Sequence, residues 1–151
     1  MSLKQQIDGD IKKAMLAKSK EELEALRSIK SLILLAETDK GATSADISAE
    51  TENKLLMKAA KQRKESADIF SQQNRSDLAD KELFQLEVIS RYLPKQLSSQ
   101  EIETAVKSII QQLNASGAQD MGKVMGAATK ALSGQADGKV ISELVKKLLA
   151  G

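Results

Sequence analysis

Cysteine and histidine are both absent from the 151 residues. Their absence rules out disulfides, thiolate nucleophiles and Cys/His metal sites. It also removes the commonest general base near neutral pH. Aromatic residues are nearly absent too, with only Phe70, Phe84 and Tyr92, and Pro94 is the sole proline. No stretch approaches the ~20 apolar residues of a membrane span. The start, Met1-Ser2-Leu3-Lys4-Gln5-Gln6, lacks the apolar run of a signal peptide, and Asp8 and Asp10 argue against a transit peptide. The expectation is a cytosolic protein with no cofactor, no metal and no membrane partner.

What remains is 41% hydrophobic and 29% charged, the balance of a folded domain rather than a disordered tract. Leu, Ala, Lys, Glu, Gln and Ser dominate, and most of these favour helices; the enrichment in aromatics and Thr typical of strands is missing. The expected fold class is all-α, with a core of Leu, Ile, Val, Met and Ala packed between helices. The net charge of +2 is unevenly placed. Up to Leu93 there are sixteen basic and sixteen acidic residues. From Pro94 onward seven lysines face five acids, so the whole excess lies in the last third. This is a weak pointer to an anionic partner there, set against an ordinary solvated lysine surface.

Capping signals and apolar spacing divide the chain into helices. Ser2 with Gln5 opens one over about 3–17, with Leu3, Ile7, Ile11, Met15 and Leu16 as its stripe. Ser19 with Glu22 opens the next, carrying Leu23, Leu26, Ile29, Ile33 and Leu34 to about Thr38, with a stop at Asp39-Lys40-Gly41. Residues 41–47 read as a loop, and Ser48 caps a long helix over about 49–73. A fourth helix over about 76–91 carries Leu78, Leu83, Leu86, Val88 and Ile89. Pro94 then disfavours helical geometry at Leu93 and removes a backbone donor, which marks a boundary. Ser98 with Glu101 restarts the pattern, and three short helices follow over about 99–113, 120–132 and 138–149. The architecture expected is a four-helix N-terminal domain over 1–93 and a small three-helix tail domain over 94–151.

Two stretches of the tail carry the functional reading. In Asp-Met-Gly-Lys-Val-Met-Gly (120–126), Asp120 is placed as an N-cap, and Gly122 and Gly126, four apart, share one helical face. Glycine inside a helix costs roughly 1 kcal/mol relative to alanine, so something approaches this backbone closely. Either a neighbouring helix packs there or a nucleic-acid or protein backbone does. Both hold if Gly126 packs internally and Gly122 stays more open. In Gly-Gln-Ala-Asp-Gly-Lys (134–139), Gly134 stops one helix, Asp137 caps the next, Gly138 follows, and Lys139 stands in the first turn as Lys123 does in its own. Helix starts offer free N–H groups and a partial positive charge, and a lysine in the same turn makes each a candidate phosphate site. The alternative is two solvated lysines.

Together these motifs, with Ile-Ser-Glu-Leu-Val-Lys-Lys-Leu-Leu (141–149), resemble the C-terminal tail domain of the B subunit of glutamine-dependent aspartyl/glutamyl-tRNA amidotransferase. Upstream, Lys-Gln-Arg-Lys-Glu-Ser (61–66), Phe70, Asn74, Arg75, Glu87 and Tyr-Leu-Pro-Lys-Gln-Leu-Ser (92–98) resemble the free-standing relatives of that tail, the YqeY-like proteins. The resemblance covers essentially the whole chain. Gln135 departs from it, standing where the tail often has lysine. The resemblance implies a tail that helps hold tRNA while other parts of the enzyme amidate the mischarged aminoacyl end. Those catalytic parts have no counterpart in this sequence, and a G-x-x-x-x-G-K-[ST] loop is lacking, so no independent enzymatic activity carries over.

The partner expected from the resemblance is tRNA, held weakly and with salt-sensitive affinity. Gly122, Lys123 and Lys139 would be its contacts, with Lys130 and Lys146 as weaker ones. The alternative is a protein partner in tRNA metabolism docked on the glycine-marked face, in keeping with the low net charge and the lack of aromatics for base stacking. In the N-terminal part, Lys54, Lys58 and Lys61 fall on one helical face with Arg63 and Lys64 nearby, a candidate phosphate-tracking stripe or a solvated face with i,i+4 pairs. Lys61 to Ser66 has no oxyanion loop or strained nucleophile turn beside it, which argues against hydrolase chemistry. Oligomeric state is not written in the sequence.

Overall fold

A computed structural model describes residues 2–39 and 47–150. The expected helix stop at Lys40-Gly41 and most of the loop that follows lie outside them. Among the described residues there are seven α-helices, one 3₁₀ turn and no strand. The helices are α1 (Leu3–Leu16), α2 (Lys20–Asp39), α3 (Ala49–Gln72), α4 (Ser76–Ser90), α5 (Ser99–Gln112), α6 (Met121–Ala131) and α7 (Gly138–Ala150). The chain divides into two compact units, Met1–Leu93 and Pro94–Gly151.

Local chemistry fixes the helix ends. Ser2 and Ser98 each accept the N–H three residues on, from Gln5 and Glu101, whose side chains reach back to the cap backbone; Ser48 accepts from Thr51. Each box satisfies donors that the first helical turn cannot pair internally. Three helices end in a left-handed residue with paired closing bonds. Ser19 N–H bonds Ala14 O at 3.0 Å around Lys18, Arg75 N–H bonds Phe70 O at 2.8 Å around Asn74, and Ala115 N–H bonds Ile110 O at 3.0 Å around Asn114. Asparagine tolerates this geometry better than most residues. Lysine at position 18, with φ of 54°, is the unusual choice.

In the first unit α1 and α2 form an antiparallel hairpin, as do α3 and α4. Leu3, Ile7, Ala14, Leu26, Ile29, Ile33, Leu56, Ala59, Val88 and Ile89 are buried together, with Phe84 and Tyr92 packed against them. Ion pairs bridge neighbouring helices: Lys30 to Asp8 at 2.6 Å, Lys4 to Glu37 at 3.3 Å, and Arg91 to Glu22 at 2.8 Å. Four residues of the expected apolar stripes lie exposed instead, namely Met15, Leu16, Leu34 and Leu83. For α1 the reason is angular. Leu16 follows Ile7 by nine residues, about half a turn away from the buried face, whereas Ala14 follows by seven and is buried.

In the second unit α5, α6 and α7 pack around Ile102, Val106, Val124, Ala128, Leu132, Ala136, Ile141 and Val145. The segment after Pro94 belongs to this unit. Leu97 N–H bonds Gln135 O at 3.0 Å and Gln96 Nε2 donates to Gly134 O at 2.6 Å. Gly134 itself, at φ of 78°, makes the turn that leaves α6. No charged or polar residue is buried among the described residues.

Candidate nucleic-acid interface

The tail's second helix, α6, has two unlike sides. Val124 and Ala128 are fully buried, while Gly122, Lys123, Gly126 and Lys130 are exposed. At 3.6 residues per turn the four exposed residues lie within about 100° of one another, opposite the buried pair. A side chain added at Gly122 or Gly126 would meet nothing within 4 Å. Among the described residues of the tail, no neighbouring helix therefore packs on the glycine face. Of the alternatives for the glycine pair, close packing of a neighbouring helix is met at neither position, and Gly126 is as open as Gly122. Core packing is satisfied by the β-carbons on the other side, so it does not explain why glycine stands at either position.

The two lysine-bearing helix starts are not equivalent. Asp137 caps α7: its Oδ1 accepts Lys139 N–H at 3.1 Å and its carbonyl accepts Ile141 N–H at 3.1 Å. A carboxylate already occupies that positive helix end, with Gly138 exposed beside it. Asp120 behaves differently from the expected N-cap. A 3₁₀ turn, Ala118–Asp120, precedes α6, and the Asp120 side chain does not cap the helix. It folds back to accept Ser116 N–H at 2.8 Å and closes the loop that Gly117 enters at φ of 74°. No carboxylate therefore caps the start of α6, where Met121 N–H is bonded to Ala118 O, and Gly122 and Lys123 are exposed in its first turn. Gly117 and Gly122-Lys123 stand at phosphate-loop spacing, but the buried Val124 takes the place of the metal-binding hydroxyl.

On α7, Lys139, Lys146 and Lys147 are exposed. Lys139 and Lys146 share a face, seven residues apart as Lys123 and Lys130 are, and Glu143 lies between them. No ion-pair partner for Lys123, Lys130, Lys146 or Lys147 lies among the described residues, whereas Lys107 is held by Glu103 at 3.3 Å. The motif reading passed over Lys147, and the signal that marks it is its position just beyond the 139/146 pair. Gln135 is tied into the loop by its backbone.

The basic stripe of α3 is less available than its spacing implies. Arg63 turns inward to Glu82 at 3.1 Å and to Ser28 at 3.4 Å, and Lys54 pairs with Glu50 at 3.1 Å. Among the described residues no group of three acidic, His or Cys side chains could hold a metal ion, and no helix is long and apolar enough to cross a membrane.

The chain is similar to several fungal proteins named altered inheritance of mitochondria protein 41, mitochondrial. That of Clavispora lusitaniae is 38% identical over 112 residues, covering 72% of this chain and 63% of its own length. That of Pyrenophora tritici-repentis is 29% identical over 147 residues, covering 95% of this chain and 78% of its own. That of Lachancea thermotolerans is 34% identical over 109 residues, covering 71% and 57%. The match therefore spans less than two thirds of two of these relatives. Each is named as a mitochondrial protein, which overturns the cytosolic location expected from the start of the sequence. The motifs at 61–66, 92–98 and 120–139 lie inside a match to the family described as Yqey-like protein that runs over residues 4–149, and the chain belongs to that family.

Proposed function

We propose that the chain is a tRNA-handling module whose tail, with its motifs resembling the tail of the amidotransferase B subunit, lays the exposed face of α6 against the phosphodiester backbone. One observation carries this reading. Gly122 and Gly126 leave a bare strip of helix with no other element of the described residues within 4 Å of either missing side chain, and Lys123 and Lys130 flank that strip. A helix that gives up stability at two positions for no internal contact is shaped for something outside itself. Lysines without a carboxylate partner, beside a helix end without a carboxylate cap, suit an anionic backbone. The role is to hold the ligand, with the chemistry done elsewhere.

The test is a titration of the whole protein with tRNA over a range of salt. Weak binding whose affinity falls steeply as salt rises is expected, and the combined Lys123→Ala and Lys139→Ala variant should bind less while unfolding normally. No binding to any tRNA at low salt overturns the reading. A second reading, in which the glycine face docks a partner helix, is favoured by the lack of any aromatic residue in 94–151 for base stacking. Partners captured from extract that survive nuclease treatment would support it.

A further inference from the structure

The turn between α1 and α2 combines the two most exposed apolar side chains of α1 with four closely spaced lysines. Leu16 is 86% exposed and Met15 54%. From Lys12 to Lys20 there are four exposed lysines (12, 13, 18 and 20). Lys13 lies 4.0 Å from Asp10, and Glu21 and Glu22 follow Lys20 in the first turn of α2, while Lys12, Lys18 and Lys20 have no ion-pair partner among the described residues. Two of the four sit against local preference. Lys18 occupies the left-handed position at φ of 54°, where Asn74 and Asn114 stand at the equivalent closures. Lys20 is the first residue of α2, at the positive end of that helix. Charge placed where the backbone disfavours it, beside apolar side chains that stand largely in solvent, marks a surface feature suited to contact.

We propose that this turn is a peripheral membrane-contact tip for anionic lipid. Leu16 and Met15 would enter the boundary between headgroups and acyl chains, and Lys12, Lys13, Lys18 and Lys20 would lie over lipid phosphates. Lysine favours a lipid surface over a protein partner, because protein interfaces deplete lysine and enrich arginine and aromatic residues. A surface contact needs no spanning helix, so it departs from the expectation of no membrane partner without requiring one. It is also independent of the tRNA reading, which concerns the other unit.

The experiment is co-sedimentation of the nuclease-treated full chain with phosphatidylglycerol–phosphatidylcholine vesicles and with pure phosphatidylcholine vesicles at low salt. Binding to the anionic vesicles alone is expected, and added salt should abolish it. Leu16→Ser, at a side chain outside the core, should weaken binding roughly tenfold. Lys18→Gly removes one charge and relieves the left-handed strain, so it should weaken binding about fivefold while unfolding at the same or a higher temperature. A merely structural role for Lys18 would not separate these two readouts. Failure to bind anionic vesicles, equal binding to neutral ones, or binding unchanged in both variants overturns the proposal. So does binding to poly-glutamate that ignores Leu16→Ser in a protein that ignores vesicles, which would assign the lysines to an acidic polypeptide.

Discussion

The Tyr92 hydroxyl donates a hydrogen bond to the Asp10 carboxylate, tying the chain just past α4 to the middle of α1. Arg91 beside it reaches Glu22 on α2, so consecutive residues clasp both helices of the first hairpin. Burial, and then the bond to Asp10, push the Tyr92 phenol well above its ordinary value near 10. The folded state therefore keeps a proton that the unfolded chain gives up. The contribution is complete below about pH 10 and is lost as pH rises beyond it. Tyr92→Phe should cost about 1–2 kcal/mol at neutral pH and flatten the alkaline limb of stability against pH, as measured by denaturant unfolding at several pH values.

The capping box at α5 makes an acid-side counterpart. The Glu101 carboxylate accepts the Ser98 N–H at 3.1 Å while Ser98 Oγ accepts the Glu101 N–H at 3.2 Å. The backbone bond from Ser98 chiefly, then its hydroxyl, hold Glu101 below the usual carboxylate range. A lowered value means the contribution is present above the unfolded value, about 4.3, and lost as pH falls through the folded one. Ser98→Ala should destabilise the protein by about 1 kcal/mol. Glu101→Gln should keep the box geometry but remove its acid dependence, visible as a shallower loss of melting temperature below pH 5, roughly the onset of carboxylate protonation.

These two clasps differ in how far the sequence reveals them. Caps are local, so Ser2, Ser48 and Ser98 place their helix starts correctly from neighbouring residues alone. The Tyr92–Asp10 bond joins residues 82 apart and has no local signature. Asp120 misleads because an aspartate before a helix can also serve the preceding loop, as it does by binding Ser116. Leu16 misleads because two residues beyond the buried Ala14 turn it to the far side of the helix. Lysine gives no hint of a left-handed residue at position 18, unlike the glycine at 134. The spacing of Gly122 and Gly126 says that they share a face, but only tertiary packing decides whether that face is covered.

That the face is open gives a prediction in which stability and binding move apart. Gly126 lies inside α6 with open space where a β-carbon would go. Gly126→Ala should therefore raise stability by about 1 kcal/mol, since alanine lowers the entropy cost without a clash. If a phosphodiester backbone lies on the strip, the same methyl should weaken tRNA binding. A variant that melts higher and binds less fits the proposed contact. One that melts higher and binds equally removes Gly126 from it.

The unequal helix starts yield the last prediction. At α7 the Asp137 carboxylate already lies on the first-turn N–H of Lys139, so an incoming phosphate meets a like charge. At α6 no side chain caps the start, and Asp120 is turned toward Ser116. Lys123→Ala should therefore weaken tRNA binding more than Lys139→Ala does, and lower the slope of log affinity against log salt by about one contact. Asp137→Asn keeps an oxygen for the cap and removes the charge, so it should strengthen binding and bring the effect of Lys139→Ala closer to that of Lys123→Ala. Salt titrations of the three single variants and the Asp137→Asn/Lys139→Ala double variant check this ordering. Equal losses for both lysines, unchanged by Asp137→Asn, would show that the caps do not set which helix start holds the phosphate.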